Sequence, residues 1–218
     1  MQDMLVASKE CPETWTAVAI YQSHVGDVNG ALASIDKALS FNASHKLAYI
    51  LRGNLLLERS DFEESIRSYR NAILCDQRHP LALKAFRGII RVLLDQVDEL
   101  EHQNDPNESP EYKQARLQAM QRYREESQWV AQQSVTSFPT DPTAHALYGL
   151  VLEHAAKEFN RARQYYEFAI RITREQKRPC CIDAVAGLAG LLMHEKKFDQ
   201  AQKLYAERAI MSLQLLRA

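Results

Sequence analysis

The feature that most constrains the fold of this chain is a short sequence pattern that occurs three times. It reads polar, Phe, polar, polar, small, with an aromatic residue four positions after the small one, and it begins at Asp61, Glu158 and Lys197. The small residue, the aromatic residue and the residue three positions further on have the spacing i, i+4, i+7, which places them on one stripe of an α-helix. The pattern therefore predicts that one type of helix recurs along the chain.

A second pattern precedes each of these helices and predicts a partner helix for it. It is an apolar or aromatic residue followed by a bulky–small pair, whose small residue lies 12 or 13 positions before that of the next helix, as from Gly53 to Ser65. Two antiparallel helices can approach closely where a small side chain faces a large one, so we expect Gly53 and Gly149 to occupy such contacts. The predicted structural positions are Trp15, Ala19, Gly53, Tyr69, Ala72, Gly149, Tyr166, Ala169, Ala189 and Tyr205.

The helix pairs recur with a period of 34 residues. Pairs begin at Pro12, Lys46 and Pro80, and further pairs begin near Pro142 and Ile182. A 34-residue helix–turn–helix period is typical of tetratricopeptide repeats (TPRs), and the chain resembles this family over about residues 12–215. The resemblance implies an all-α fold, a right-handed α-solenoid of about five helix–turn–helix units whose neighbours bury one another's apolar stripes.

The third unit is interrupted by a predicted helical-hairpin insertion. Ser109 and Pro110 are typical of a helix N-cap and first turn, and the helix that follows them is polar over much of its circumference. Two interpretations of this hairpin stay open, a projection with one solvated face or an arm that docks a partner. The predicted boundaries are 1–11, the end of a preceding helix; 12–79, units one and two; 80–141, unit three with its insertion at about 95–126; 142–181, unit four; and 182–218, unit five.

Both ends of the chain are apolar where a solenoid usually has a polar cap. Met4, Leu5 and Val6 resemble the last turn of a second helix, and the chain ends in the apolar segment that begins at Ile210. We expect the chain to be a piece of a longer protein or a subunit covered by others.

Composition argues against several classes of protein. The chain has 27 Lys and Arg against 28 Asp and Glu, a net charge of −1, whereas nucleic-acid binding requires a basic face. No stretch approaches the roughly 20 consecutive apolar residues of a membrane span, and the first residues lack the features of a secretory signal. We therefore expect neither a nucleic-acid partner nor a membrane partner, and an intracellular location in the nucleus, the cytoplasm or both.

The sequence offers no convincing catalytic, cofactor or metal site. Nucleotide-binding loops and the common hydrolase motifs are absent. His24, His154 and His194 share repeat position 13, but neighbouring helices pack about 8–10 Å apart and zinc requires ligand nitrogens at about 2 Å. We expect these histidines to be surface groups, and we expect no cofactor, no metal and no enzymatic activity.

The first helices of successive TPR units line the groove in which this family binds peptides or helices. One group of TPRs uses Lys, Asn and Arg there to hold a C-terminal carboxylate, but the matching positions of this chain are mostly uncharged. The groove is therefore expected to suit an apolar or helical protein partner. The candidate groove residues are Thr16, Ile20, Ile50, Asn54, Lys84, Arg91, Leu150 and His154.

A narrower resemblance is carried by three short segments. They are Pro12, Glu13 and Trp15; Tyr49, Leu51 and Gly53; and Tyr69, Arg70, Ala72 and Ile73. These segments are similar to the TPR subunits of the anaphase-promoting complex, and to its subunit 7 family in particular. The resemblance implies a non-catalytic scaffold in a nuclear ubiquitin ligase of the cell cycle, built from dimeric TPR superhelices, so a homodimer is also expected. Two alternatives stay open, a TPR adaptor in another assembly (trafficking, transcription or RNA handling) and the regulatory TPR part of a larger enzyme.

Overall fold

The computed structural model describes residues 11–103, 108–178 and 181–215, and these ranges form ten α-helices and no strand. The helices are α1 Pro12–His24, α2 Val28–Phe41, α3 Lys46–Glu58, α4 Phe62–Cys75, α5 Pro80–His102, α6 Pro110–Ser137, α7 Pro142–His154, α8 Phe159–Glu175, α9 Ile182–His194 and α10 Phe198–Leu215. The odd-numbered helices begin at the five residues at which the repeat spacing begins its units.

The short turns inside four of the helix pairs share one backbone feature. Each contains a residue in the left-handed region, where a helix can end with its last carbonyls still bonded. These residues are Gly26 (φ 82°), Ser60 (φ 60°), Lys157 (φ 57°) and Lys196 (φ 61°). In the pairs that contain Gly26, Ser60 and Lys196, this turn separates the two helices by the same number of residues.

The chain divides into two compact units, of which the first ends at Val92 and the second begins at Leu93. Inside the first unit, the ring of Tyr69 on α4 is buried between two glycines. A Cβ atom on Gly53 of α3 would lie 2.6 Å from Cε1 of Tyr69. A Cβ atom on Gly88 of α5, the first helix of the next pair, would overlap the same ring. The ring therefore fills the space between two successive first helices, and Gly53 makes the predicted close contact.

The second unit repeats this arrangement with Tyr166 of α8. A Cβ atom on Gly149 of α7 would lie 2.7 Å from Cε1 of this ring, and one on Gly187 of α9 would overlap it. Tyr166 is completely buried, whereas Tyr205, the corresponding residue of α10, is 42% exposed.

The other predicted structural positions lie in or beside the core. Four small residues are buried, namely Ala19, Ala72, Ala169 and Ala189. Trp15 is partly buried against the core of the first helix pair, and the ammonium nitrogen of Lys37 lies 3.8 Å from the centroid of its ring. Small residues at the helix contacts therefore pack as the repeat pattern predicts.

The insertion consists of the second half of α5 and the first half of α6. Ser109 is the N-cap of α6 as predicted, with its hydroxyl accepting a hydrogen bond from the backbone N–H of Tyr112. The guanidinium of Arg116 is buried, donates two hydrogen bonds to the carboxylate of Glu108 at 2.9 and 3.1 Å, and donates a third to the carbonyl of Leu100 at the end of α5. Arg116 therefore joins the two helices of the hairpin.

Some sequence-based expectations fall outside the described residues. They concern Met4, Leu5 and Val6 and the side chains of the apolar C-terminal segment.

Candidate protein-binding surface

A pocket opens between α1 and α3 in the first unit. Its volume is about 140 Å³. The floor is apolar, with contributions from α1, α2 and α3, and the rim is polar. The floor residues are Ala19, Ile20, Ile35, Leu51 and Leu55, and the rim residues are Ser23, His24, Asn54 and Glu58.

The amide of Asn54 has a fixed orientation at the pocket rim. The hydroxyl of Tyr69 donates a hydrogen bond of 2.7 Å to its Oδ1 atom, which leaves the Nδ2 group as the free half of the amide. Burial raises the pKa of Tyr69, while the charge of Arg91 acts in the opposite direction and that of Glu58 acts in the same one. Tyr69 therefore stays a neutral donor, and Asn54 presents its two N–H donors to the pocket.

His24 and Glu58 end α1 and α3 and both line the pocket. They occupy the same repeat position, number 13. Both side chains are exposed, and neither forms a hydrogen bond or an ion pair with any residue in the described part of the chain. The lining contains no Lys or Arg, so Glu58 gives the rim its negative charge.

Two of the eight predicted groove residues, Ile20 and Asn54, line this pocket. Lys84 and Arg91 are exposed on α5. In the second unit, Leu150 is half-buried on α7 and His154 is exposed at the end of the same helix.

Thr16 and Ile50 are buried, so their predicted place in the groove is wrong. Thr16 is 2% exposed and Ile50 is 4% exposed. The hydroxyl of Thr16 donates a hydrogen bond to the carbonyl of Pro12 and lies 2.9 Å from Nε2 of His45. Because His45 is the residue that precedes α3, this contact joins α1 to the start of α3 and uses up the polar group of Thr16.

Glu153 of α7 is a polar residue that the sequence reasoning missed. Its Oε2 atom accepts a hydrogen bond of 2.7 Å from the hydroxyl of Tyr166, as Asn54 does from Tyr69. Burial, with the bond to Glu153 and the charges of Glu153 and Asp183, raises the pKa of Tyr166 well above its ordinary value. The repeated tyrosine position could have identified Glu153, since both acceptors lie on the first helix of the same pair.

The described ranges contain neither a metal-binding cluster nor a membrane-spanning helix. No group of three or more His, Cys, Asp or Glu there could hold a metal ion. No helix in these ranges combines the length and the apolar character that crossing a membrane requires.

Comparison with known proteins finds similarity to a curated subunit of a large complex. No family model matches the chain. Anaphase-promoting complex subunit 7 of Dictyostelium discoideum is 25% identical over 201 residues, which make up 91% of this chain and 28% of the relative. The chain therefore spans little more than a quarter of the length of this curated relative.

Solved structures agree on the fold. A thermophilic TPR protein of Thermus thermophilus matches with a TM-score of 0.64 at 15% identity, over 95% of this chain and 94% of its own. A chain of the APC/C hetero-tetramer of Cut9 and Hcn1 matches with a TM-score of 0.61 at 16% identity, over 97% of this chain and 35% of its own. The prediction of an all-α TPR solenoid is confirmed. The resemblance to TPR subunits of the anaphase-promoting complex is borne out by the similarity to the curated subunit 7.

Proposed function

We propose that the chain is a non-catalytic scaffold that binds other protein subunits, and that it works as a TPR subunit of an anaphase-promoting-complex type of ubiquitin ligase. The observation that carries this proposal is the similarity to subunit 7 of that complex over 201 residues. The structural likeness to a chain of the Cut9–Hcn1 hetero-tetramer supports it.

The surface chemistry of the first unit supports a role in protein binding. An apolar floor surrounded by polar groups is the usual composition of a recognition site. Glu58 and His24 form no hydrogen bond or ion pair with any described residue, and only the oxygen of the Asn54 amide has a hydrogen-bond partner. These groups are available for contacts with another protein.

The experiment is purification of the full-length protein, tagged at its own locus, from dividing cells, followed by mass spectrometry of what comes with it. We expect cullin-like and RING subunits to co-purify in amounts comparable to the tagged protein. A preparation from dividing cells that lacks both kinds of subunit contradicts the ligase proposal. If a different set of subunits takes their place, the chain is a TPR adaptor of that assembly.

Two further parts of the proposal are tested in the same cells. We propose that the protein is nuclear or cytoplasmic, which imaging of the tagged protein checks. We also propose that two copies associate, in which case a second, differently tagged copy should co-purify with the first. The full reading frame tests the non-catalytic assignment, since a catalytic domain beside this chain would make it the regulatory part of an enzyme.

A further inference from the structure

We propose that the pocket between α1 and α3 binds an extended segment of a partner protein that inserts one aliphatic side chain and places a Lys or Arg beside it, against Glu58. This inference rests on the protein-binding part of the proposed function. It does not depend on the partner belonging to a ubiquitin ligase.

The floor of the pocket selects an aliphatic group. Ala19, Ile35 and Leu55 of the floor are almost completely buried core residues, while Ile20 at its edge is 37% exposed. A dry cavity of roughly 150 Å³ can hold a group the size of benzene, and this pocket has about 140 Å³. A Leu, Ile or Met side chain therefore fits, and its burial would also cover the exposed part of Ile20.

The rim selects a positive charge. Glu58 is the one carboxylate among the lining residues, and the lining has no Lys or Arg. In the described residues Glu58 forms no ion pair, so its carboxylate can pair with a cation of the ligand. Complementary charge across an interface favours the correct partner and disfavours the wrong one. An acidic segment would be repelled by Glu58, and the pocket lining has no Lys or Arg to offset that repulsion.

The Asn54 amide selects an extended backbone. Its Oδ1 atom accepts the hydroxyl hydrogen of Tyr69, so the half of the amide that keeps its hydrogen-bonding groups for a ligand is the donor Nδ2. A donor requires a free acceptor, and backbone carbonyls within a helix are already bonded to N–H groups four residues later. An extended segment keeps its carbonyls available, which is why it fits this amide better than the middle of a helix does.

The test uses a phage-displayed library of random peptides, selected on the full-length protein. We expect the enriched peptides to share an aliphatic residue next to Lys or Arg. Enrichment of peptides without a basic residue, or no enrichment at all, overturns the proposal.

A charge-reversed variant makes the test specific to the pocket. Glu58→Lys should weaken the best selected peptide roughly tenfold or more, and selection on this variant should replace the basic residue by Asp or Glu. Glu63→Lys is the matched control, since Glu63 is an exposed residue of α4 that does not line the pocket. Circular dichroism checks that both variants fold. Equal losses in the two variants, or no loss with Glu58→Lys, would refute the assignment of Glu58.

The failure of this inference can be told apart from the failure of the proposed function. A purification without cullin-like and RING subunits contradicts the ligase assignment but leaves a positive peptide selection standing. A failed selection beside a successful purification overturns the pocket assignment alone.

Discussion

The hydroxyl of Tyr69 donates a hydrogen bond of 2.7 Å to Oδ1 of Asn54, so a ring that is 1% exposed determines which half of a surface amide faces a ligand. The same bond in the second unit joins Tyr166 to the carboxylate of Glu153. A buried tyrosine therefore positions the amide of Asn54 in the first unit and the carboxylate of Glu153 in the second. The hydrogen bond is of the same type in both units, but the group that it positions is neutral in one and acidic in the other.

Tyr69→Phe tests the positioning of Asn54. The variant keeps the ring between its two glycines and removes the hydroxyl, so we expect the free energy of unfolding to fall by about 0.5–1.5 kcal/mol, the usual net contribution of one hydrogen bond. The affinity for a selected peptide should fall as well, because the Asn54 amide can then rotate. Urea denaturation and fluorescence polarisation measure the two effects. Tyr21→Phe, at a residue that is 51% exposed, is the control. Unchanged peptide affinity in Tyr69→Phe would show that peptide binding does not depend on the orientation of the Asn54 amide.

Gly149→Ala tests the close contact with Tyr166. The added Cβ atom would lie 2.7 Å from Cε1 of a ring that Gly187 confines from the next helix. Overpacking of this kind costs about 1–3 kcal/mol, against a gain of about 1 kcal/mol from the better helix propensity of alanine, so we expect a net loss of stability. Gly190→Ala is the matched control, since a Cβ atom there meets nothing within 4 Å and should stabilise α9. If both variants gain stability in chemical denaturation, the contact is not tight.

Arg116→Met tests the joint between α5 and α6. The substitution leaves the buried carboxylate of Glu108 without its cation and removes the bond to the carbonyl of Leu100, and uncompensated buried charge is strongly destabilising. We expect a lower denaturation midpoint and faster hydrogen exchange in the first turns of α6. Arg161→Met is the comparison, because the Arg161–Glu158 pair is exposed and such pairs contribute about 0–1 kcal/mol. Equal shifts in the two variants would mean that the Arg116 pair is no stronger than a surface pair.

Tyr166→Phe tests the dependence of stability on alkaline pH. The pKa of Tyr166 is raised in the folded state by burial and by its bond to Glu153, so the unfolded chain loses the tyrosine proton first as the pH rises. The stabilisation is complete below the ordinary tyrosine pKa of about 10 and decreases above it. Urea denaturation at about pH 8 and about pH 11 should show a larger loss for the wild type than for Tyr166→Phe, by up to about 1.4 kcal/mol per pH unit.

The exposed Tyr21 again supplies the control for this measurement. Tyr21→Phe should leave the alkaline loss close to that of the wild type. An alkaline loss that Tyr166→Phe does not reduce would contradict the assignment to Tyr166.

Each buried tyrosine ring contacts two glycines, and the sequence predicted only one glycine of each pair. Gly53 and Gly149 recur at one repeat position opposite a tyrosine, which is why their contacts could be expected. Gly88 and Gly187, on the other side of the two rings, occupy different repeat positions, eight residues after Pro80 and five after Ile182. The two positions differ by about one helical turn, so both glycines lie on the same face of their helix. Because their repeat positions differ, an alignment of the repeats does not pair them.

The candidate site was predicted less well, because repeat position gives the face of a helix but not the depth of a side chain. Ile20 and Asn54 reach the pocket, whereas Thr16, on the same helix as Ile20, is buried because its hydroxyl bonds to a carbonyl of its own helix and contacts His45. Arg116 was missed for a related reason. A charged residue of a polar helix is expected to be exposed to solvent. Arg116 is buried because it pairs with Glu108, a residue just before that helix.

The two tyrosine rings each belong to one helix pair and are enclosed partly by the next. A ring of this size requires a glycine in the pair that follows as well as in its own, since a Cβ atom at Gly88 or Gly187 would overlap it. A duplicated or transplanted copy of α3 and α4 would therefore fit only in front of a pair that already carries the second glycine. Exchange of repeats is therefore sterically restricted at these two junctions.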